Sequence, residues 1–329
     1  MNFRTIVETP LKDLSISYTD KLILMGSCFS ENIGNRLVDC KFKTDMNPFG
    51  ILYNPLSIEK SLRRMLSGTQ YTSSDLILHN EIYHSFDHHG SFSGIESDSV
   101  LHQINNRLQS SSQFLNEATI LLITFGTAFV YTNKQDGKIV SNCHKLPAKA
   151  FDRRRVSVEE IVASWSALIK DLQQVNPKLK IIFTVSPIRH LKDGAHENQL
   201  SKATLQLSID QLQKEYNNVF YFPAYEIVLD ELRDYRFYAD DMTHPASITI
   251  DYIWKKFSES YFTKETLDIM AQWLQIAKAI SHRPLRPNST SYKQFILQTL
   301  LKVKQIQNKF HFFDIQNEID TLEKKLESL

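Results

Sequence analysis

The sequence predicts an α/β protein, with a parallel sheet covered by helices on both faces and an all-helical extension behind it. Three observations predict this. From Lys21 to about residue 260, apolar runs alternate with amphipathic segments, which is the rhythm of successive βα units. The apolar runs are nearly continuous, as in "TILLITFG", and such strands suit a parallel sheet buried on both faces. From about Thr263 the strand-like runs stop and helical spacing takes over.

The expected strands are "KLILMG" (21–26), the more polar "KFKTDM" (41–46), "TILLITFG" (119–126), "KIIFTVSP" (180–187) and "NVFYFPA" (218–224). Helical patterns fall near 30–38, 55–67, 97–110, 157–174, 197–216 and 247–260. One excursion breaks the alternation. "AFVYTNKQDGKIVSNCHKLP" (128–147) reads as a hairpin, because Asp136-Gly137 supplies a turn between two β-prone arms. The extension, 263–329, contains three helix-patterned stretches interrupted by the Pro-containing "SHRPLRPNST".

The chain has 329 residues, enough to bury a sizeable core. The formal charge is +1, so no overall field draws it to nucleic acid or to anionic lipid. No charged-then-apolar leader opens the sequence, and no apolar run approaches the roughly 18 residues of a membrane span. Three cysteines are too few and too uneven for a disulfide framework. The expectation is a cytoplasmic protein, monomer or homodimer, with neither nucleic acid nor membrane as partner.

The chemistry-bearing residues cluster after strands. In an open parallel sheet, ligands sit beyond the carboxyl ends of the strands. The turns "GSC" (26–28), "FGTA" (125–128) and "SPIRHLKDG" (186–194) each follow an expected strand and so belong to that edge. Ser27 and Cys28 both offer a nucleophile where a helix begins, and free N–H groups there favour a thiolate and an oxyanion. A base and its orienting group are offered by "DDMTHP", where Asp241 and His244 stand three apart. That spacing lets a carboxylate fix an imidazole tautomer, although the same pattern also serves as plain helix capping.

Other clusters read less sharply. His79, His84, Asp87, His88 and His89 fit no strong zinc spacing and read as a polar loop bordering the cleft, with His84 within reach of a substrate. Arg189, His190, Asp193, Asn198 and Lys202 form a loop able to clamp a carboxylate or phosphate. Cys143 and His144 are adjacent and so point to opposite faces of a strand. Cys40 reads as structural, and Arg153–Arg155 as a surface charge cluster. No metal site is expected.

The blocks "GSCFSENIG", "NPFGILYNP", "FGTAFVY", "NCHKLP", "TVSPIRHLKDG", "NQLSKATL", "YFPAYEI" and "DYRFYADDMTHP" resemble, in order, those of the GSCFA family of the SGNH (GDSL-like) hydrolase superfamily. The resemblance implies a three-layer, flavodoxin-like α/β/α sandwich over 1–262. It implies ester or acyl chemistry by a nucleophile in the first block and an Asp-x-x-His in the last. Laid over the superfamily's Gly-Asp-Ser turn, Cys28 takes the nucleophile's place and Ser27 the supporting one. Capsule-polysaccharide acyltransferases are similar here, with Gly-Asn-Cys at the turn.

The superfamily's third block carries an oxyanion-holding asparagine where this chain has Ala128. Asn142 is the expected substitute, with Thr127 next; Gly50 and Gly126 are expected to offer backbone donors. The implied activity is an acyl-ester hydrolase or acyltransferase acting through a covalent acyl-enzyme on an ester or thioester, such as an O-acetylated carbohydrate. It needs no cofactor, and acyl-CoA suits it as donor substrate. The rival reading is a carbohydrate- or acyl-ligand-binding module that has kept the fold without the reaction.

Overall fold

Alternation within single strands explains how the two faces of the sheet are filled. In the computed structural model, which describes residues 4–9 and 14–328, Leu22 and Leu24 of the first strand enter one core. Their neighbours Ile23 and Met25 enter the other, because successive side chains of a strand point to opposite faces.

The chain runs β1 (Lys21–Gly26), α1 (Cys28–Asp39), β2 (Lys43–Met46), α2 (Pro55–Ser67), β3 (Leu76–His79), β4 (Ile82–Ser85) and α3 (Ser97–Glu117). It continues through β5 (Ile120–Phe125), β6 (Phe129–Asn133), β7 (Ile139–Val140), β8 (Phe151–Arg155), α4 (Val158–Val175), β9 (Lys180–Val185) and α5 (Gly194–Glu215). The last elements are β10 (Val219–Phe222), the short α6 (Ala224–Glu226), α7 (Ser247–Tyr261), α8 (Lys264–Ile280), α9 (Thr290–Lys309) and α10 (Gln316–Glu327).

The main sheet has the order β2-β1-β5-β9-β10, and every pairing in it is parallel. Counted among themselves in chain order, its strands stand 2-1-3-4-5. This is the flavodoxin-like arrangement, whose ligand crevice opens where the order reverses, between β1 and β5. Gly26 ends β1 opposite Thr124 of β5, and Thr124 stands opposite Thr184 of β9. The turns after all three strands therefore meet at one edge.

Helices α2 to α5 cover one face through Leu62, Leu108, Trp165 and Leu205. The other face is covered by α1 and α7, and the helical extension joins the same core through Trp273, Leu300 and Leu322. Trp273 donates its ring N–H to the Asp39 carbonyl at the end of α1, 2.7 Å away. The extension thus braces the α1 layer. Among the described residues no helix is long and apolar enough to cross a membrane.

Two departures from the expected elements matter for the site. The hairpin around Asp136-Gly137 forms as β6 and β7, but a third strand, β8, pairs along the whole of β6. "RRR" is therefore the end of a strand, and all three of its arginines pair with carboxylates beyond that strand, Arg153 with Asp193, Arg154 with Glu160 and Arg155 with Glu197. The histidine-rich stretch expected as a loop also contains a hairpin, β3–β4, turning on Asn80 and Glu81 at positive φ. β8 is hidden because charged residues mask the alternation that marks a strand, and β3–β4 because each strand is only four residues long and carries a histidine.

Candidate functional site

Gly26 is dictated by crowding. Its φ is 142°, and a Cβ there would lie 2.2 Å from the Thr124 carbonyl oxygen. The tight exit turns the chain at once into α1, with Ser27 as N-cap accepting the Phe29 N–H at 3.3 Å. Ser27 is only 1% exposed. Cys28 opens the helix, so its N–H is among those with no partner inside it. Cys28 Sγ lies 3.8 Å from Tyr53 Oη.

Cys28 borders a cleft of about 420 Å³ beyond the sheet edge. Tyr53, Phe129 and Tyr131 give it aromatic walls, Ile188 and Leu191 add apolar surface, and His244 lies in the same lining. Asp241 Oδ1 accepts the N–H groups of Thr243 and His244, each at 2.9 Å, and Oδ2 pairs with His244 Nδ1. The backbone N–H of His244, then that of Thr243, then the imidazole hold the Asp241 carboxyl far below the usual carboxylate range. Asp241 is therefore a carboxylate at neutral pH and accepts Nδ1–H, which leaves Nε2 of His244 as a proton acceptor. A thiol and an imidazole thus share one crevice, and a carboxylate holds the imidazole by its Nδ1.

Residues 21–257 match the model of the GSCFA family, and residues 273–328 match that of the GSCFA domain protein, C-terminal domain. The chain belongs to the GSCFA family. No curated protein matches it. Solved structures resemble it only slightly. An acetyl xylan esterase, Est2A, from the rumen bacterium Butyrivibrio proteoclasticus is 16% identical over 43% of this chain and 36% of that one, with a TM-score of 0.26. A carbohydrate esterase family 3 protein from Talaromyces cellulolyticus is 8% identical over 77% and 98%, with a TM-score of 0.35. The family 3 carbohydrate esterase of Clostridium thermocellum is 12% identical over the same shares, with a TM-score of 0.32. The GSCFA chain thus covers about a third of Est2A.

The GSCFA site gathers some of the expected residues and not others. Arg189 and His190 line the cleft. Arg189 lies over the Tyr238 ring at 4.4 Å and donates to the Met242 carbonyl, tying its loop to the turn that carries Asp241 and His244. His190 is pushed down to about 4, by burial first and by nearby Lys202 next, so its ring is neutral.

Three expected backbone donors are committed elsewhere, and the fourth expected donor, Asn142, does not line the cleft. Gly50 N–H donates to Asn47 O at 2.7 Å, while Gly126 and Thr127 both donate to the Tyr53 carbonyl, at 2.8 and 3.0 Å. Thr127 still lines the cleft, although its hydroxyl pairs with Ser201. Asn142 turns its amide oxygen to the His144 N–H, and its neighbour Ser141 borders the cleft instead.

Three expected substrate contacts are corrected. Lys202 is 1% exposed, and its ammonium donates to Gly126 O and Ser186 O, both at 2.7 Å, bracing the ends of β5 and β9 from beneath. Asn198 is buried and accepts the His190 N–H. His84 sits in β4, bonded to Ser93 and stacked on His144, away from the cleft.

The cleft also contains residues that spacing did not announce. Arg153 of β8 grips Asp193 through both of its terminal nitrogens and lies 3.9 Å from the centre of the Phe129 ring. Tyr53 belongs to the block "NPFGILYNP". Its place between the turn-forming "NPFG" and the helix-opening Asn54-Pro55 is the signal that it ends a loop at the sheet edge.

Proposed function

We propose that the cleft is the active site of an acyl hydrolase or acyltransferase that works through a thioester on Cys28. One observation carries the reading: Cys28, at the first turn of α1, opens on the same cleft as His244, and Asp241 holds His244 Nδ1. In the first step the Cys28 S–H proton passes to His244 Nε2. Sγ bonds to the carbonyl carbon, and the C=O π pair moves to oxygen. Collapse re-forms C=O and expels the alcohol or thiol, which takes its proton from His244. Water or an acceptor hydroxyl then repeats the sequence on the thioester and frees Cys28.

Cys28 is preferred to Ser27 because Ser27 is buried and its hydroxyl caps α1. The aromatic walls and the Arg153 and Arg189 side chains suit an acyl ester on a polar carrier, such as an O-acetylated carbohydrate. Acyl-CoA suits the donor role because a thiolate exchanges readily with a thioester. The test is intact-mass spectrometry after brief exposure to 4-nitrophenyl acetate or to acetyl-CoA. An acetyl adduct is expected on Cys28, absent in Cys28→Ala, present in Ser27→Ala and slow to form in His244→Ala.

A second reading has an observation of its own. The N–H groups of Gly50, Gly126 and Thr127 are all bonded within the fold, which favours a cleft that binds an acylated ligand without turning it over. An absence of adduct from either donor, with ligand binding that survives Cys28→Ala, would establish it.

A further inference from the structure

We propose that Tyr53 is a catalytic residue whose phenol O–H donates to the carbonyl oxygen as it becomes negative during attack by Cys28. The proposal rests on the acyl-enzyme reading above. Its starting point is a shortage. An oxyanion needs donors already aimed at it, commonly about 2.7–3.1 Å away. The backbone N–H groups after β5 that face this edge are spent on the Tyr53 carbonyl, and the Gly50 N–H is spent on Asn47. Ala128, fully buried, brings no side-chain donor, and its N–H is taken by Ser201 Oγ at 2.8 Å. Besides the Cys28 N–H, Tyr53 Oη is the donor that lies against the sulfur, at 3.8 Å.

The geometry suits the role. The carbonyl oxygen is two bonds from Sγ once the S–C bond has formed, so it can lie between Sγ and Oη and accept from the phenol. Tyr53 is 36% exposed, with its ring facing the cleft where a substrate enters. Its root is fixed, since its carbonyl receives both the Gly126 and Thr127 N–H groups. Gly126 leaves room for that root, because a Cβ there would crowd the Tyr53 carbonyl oxygen at 3.1 Å and touch Cδ1 of the ring at 3.4 Å. The His190 ring meets it edge-on with centroids 6.0 Å apart. Burial, and then the neighbouring Cys28, push the Tyr53 phenol up to about 12, so the proton it donates is retained at neutral pH.

In the step itself the Cys28 proton goes to His244 Nε2, the S–C bond forms and the carbonyl π pair moves to oxygen. The Tyr53 proton stays on Oη throughout and is shared as a hydrogen bond. When the intermediate collapses, the pair returns to C=O and the leaving group takes the proton from His244. No further reactant is required.

The experiment compares wild type with Tyr53→Phe in two reactions of Cys28. Acetylation by 4-nitrophenyl acetate builds an oxyanion, and its rate is followed by intact mass. Alkylation by iodoacetamide displaces iodide and builds none. Tyr53→Phe is expected to slow acetylation about 100-fold, the loss typical of one oxyanion donor, while alkylation stays within about threefold of wild type at the same pH. Equal acetylation rates in the two proteins would overturn the proposal. So would an equal loss in both reactions, since Tyr53 would then act on the thiol and not on the oxyanion. A wild-type protein that alkylates at Cys28 but never acetylates would overturn the acyl-enzyme reading itself, and Tyr53's role with it.

Discussion

The two walls that bring Cys28 and His244 to one cleft are built in opposite ways. On the nucleophile's side, β1 is buried along almost its whole length, and the Gly26–Ser27 turn is bonded from three directions. The Gly26 N–H donates to Asn47 Oδ1, its carbonyl accepts from Leu52, and the next N–H reaches Thr124 O. On the base's side, the Asp241 and His244 side chains are about half exposed, at 50% and 49%. The turn there is held mainly by its own bonds: Ala239 to His244, Met242 to Ala239, and the two N–H groups on Asp241. Outside help comes from Arg189, through Met242 and Thr243. A core-built wall fixes position at a cost in tolerance. A locally built wall can be altered without unfolding the domain, so the two should respond differently to mutation.

The largest expected effect lies on the local wall. Asp241→Asn should slow acetylation of Cys28 by up to about 10⁴-fold, the loss seen when a catalytic histidine is left in the wrong tautomer, while the urea midpoint at neutral pH falls only modestly, by what the carboxylate itself contributes. A collapsed midpoint would break the comparison, because it would mean that the base's turn carries the fold. The pH dependence has a definite sign. The folded-state pKa of Asp241 is lowered, so its stabilising contribution is complete above the unfolded value of 3.8 and fades as pH falls below it. The wild-type midpoint should drop in that acid range more than that of Asp241→Asn.

Next comes the core-built wall. Gly26→Ala places a methyl group on the Thr124 carbonyl at a φ that L residues rarely adopt. A loss of about 3 kcal/mol or more in urea unfolding is expected. A smaller loss would show that the β1–β5 contact can yield.

A third prediction concerns the brace beneath that wall. Burial lowers the Lys202 ammonium to about 7, from 10.5 when unfolded. Between these values the unfolded chain holds the extra proton. Stability from this group therefore rises with pH from 7 to 10.5 and is lost as pH falls through 7. The wild type should gain up to about 1.4 kcal/mol per pH unit across that window relative to Lys202→Met. Parallel curves would mean that the ammonium remains charged in the fold. The smallest effect is expected from Arg153→Ala, which frees Asp193 at the cleft mouth. It should cost about 0.2–1 kcal/mol of stability and raise the half-saturating ester concentration without changing the acetylation rate at saturation.

Legibility followed the range of the interactions. The strands of the main sheet could be read because burial on both faces demands unbroken apolar runs, as in "ILLITF". Edge strands were harder. β2 carries Asp45, held by Arg107 from a distant helix, and β8 is nearly all charged beyond Phe151. The Asp241–His244 pair was legible because its hydrogen bonds span three residues. The oxyanion donors were not, since a free N–H and one bonded to a carbonyl far along the chain look alike in sequence. Lys202 and Asn198 looked like surface clamps for the same reason. Their partners, Gly126 and Ser186 in one case and His190 in the other, are brought together only by the packing of α5 on the sheet edge.

The sequence by itself determined the α/β plan, the turn at Gly26 that exposes Cys28, the local carboxylate–imidazole pair and the helical extension. Each follows from steric or periodic rules acting within a few residues. Only the tertiary structure decided that Tyr53 faces Cys28, that Arg153 closes on Asp193 across the cleft, and that Lys202 lies beneath the site instead of in it. Those pairings join segments from 16 to 76 residues apart, and contact at that range depends on how complete layers pack, which no local pattern encodes.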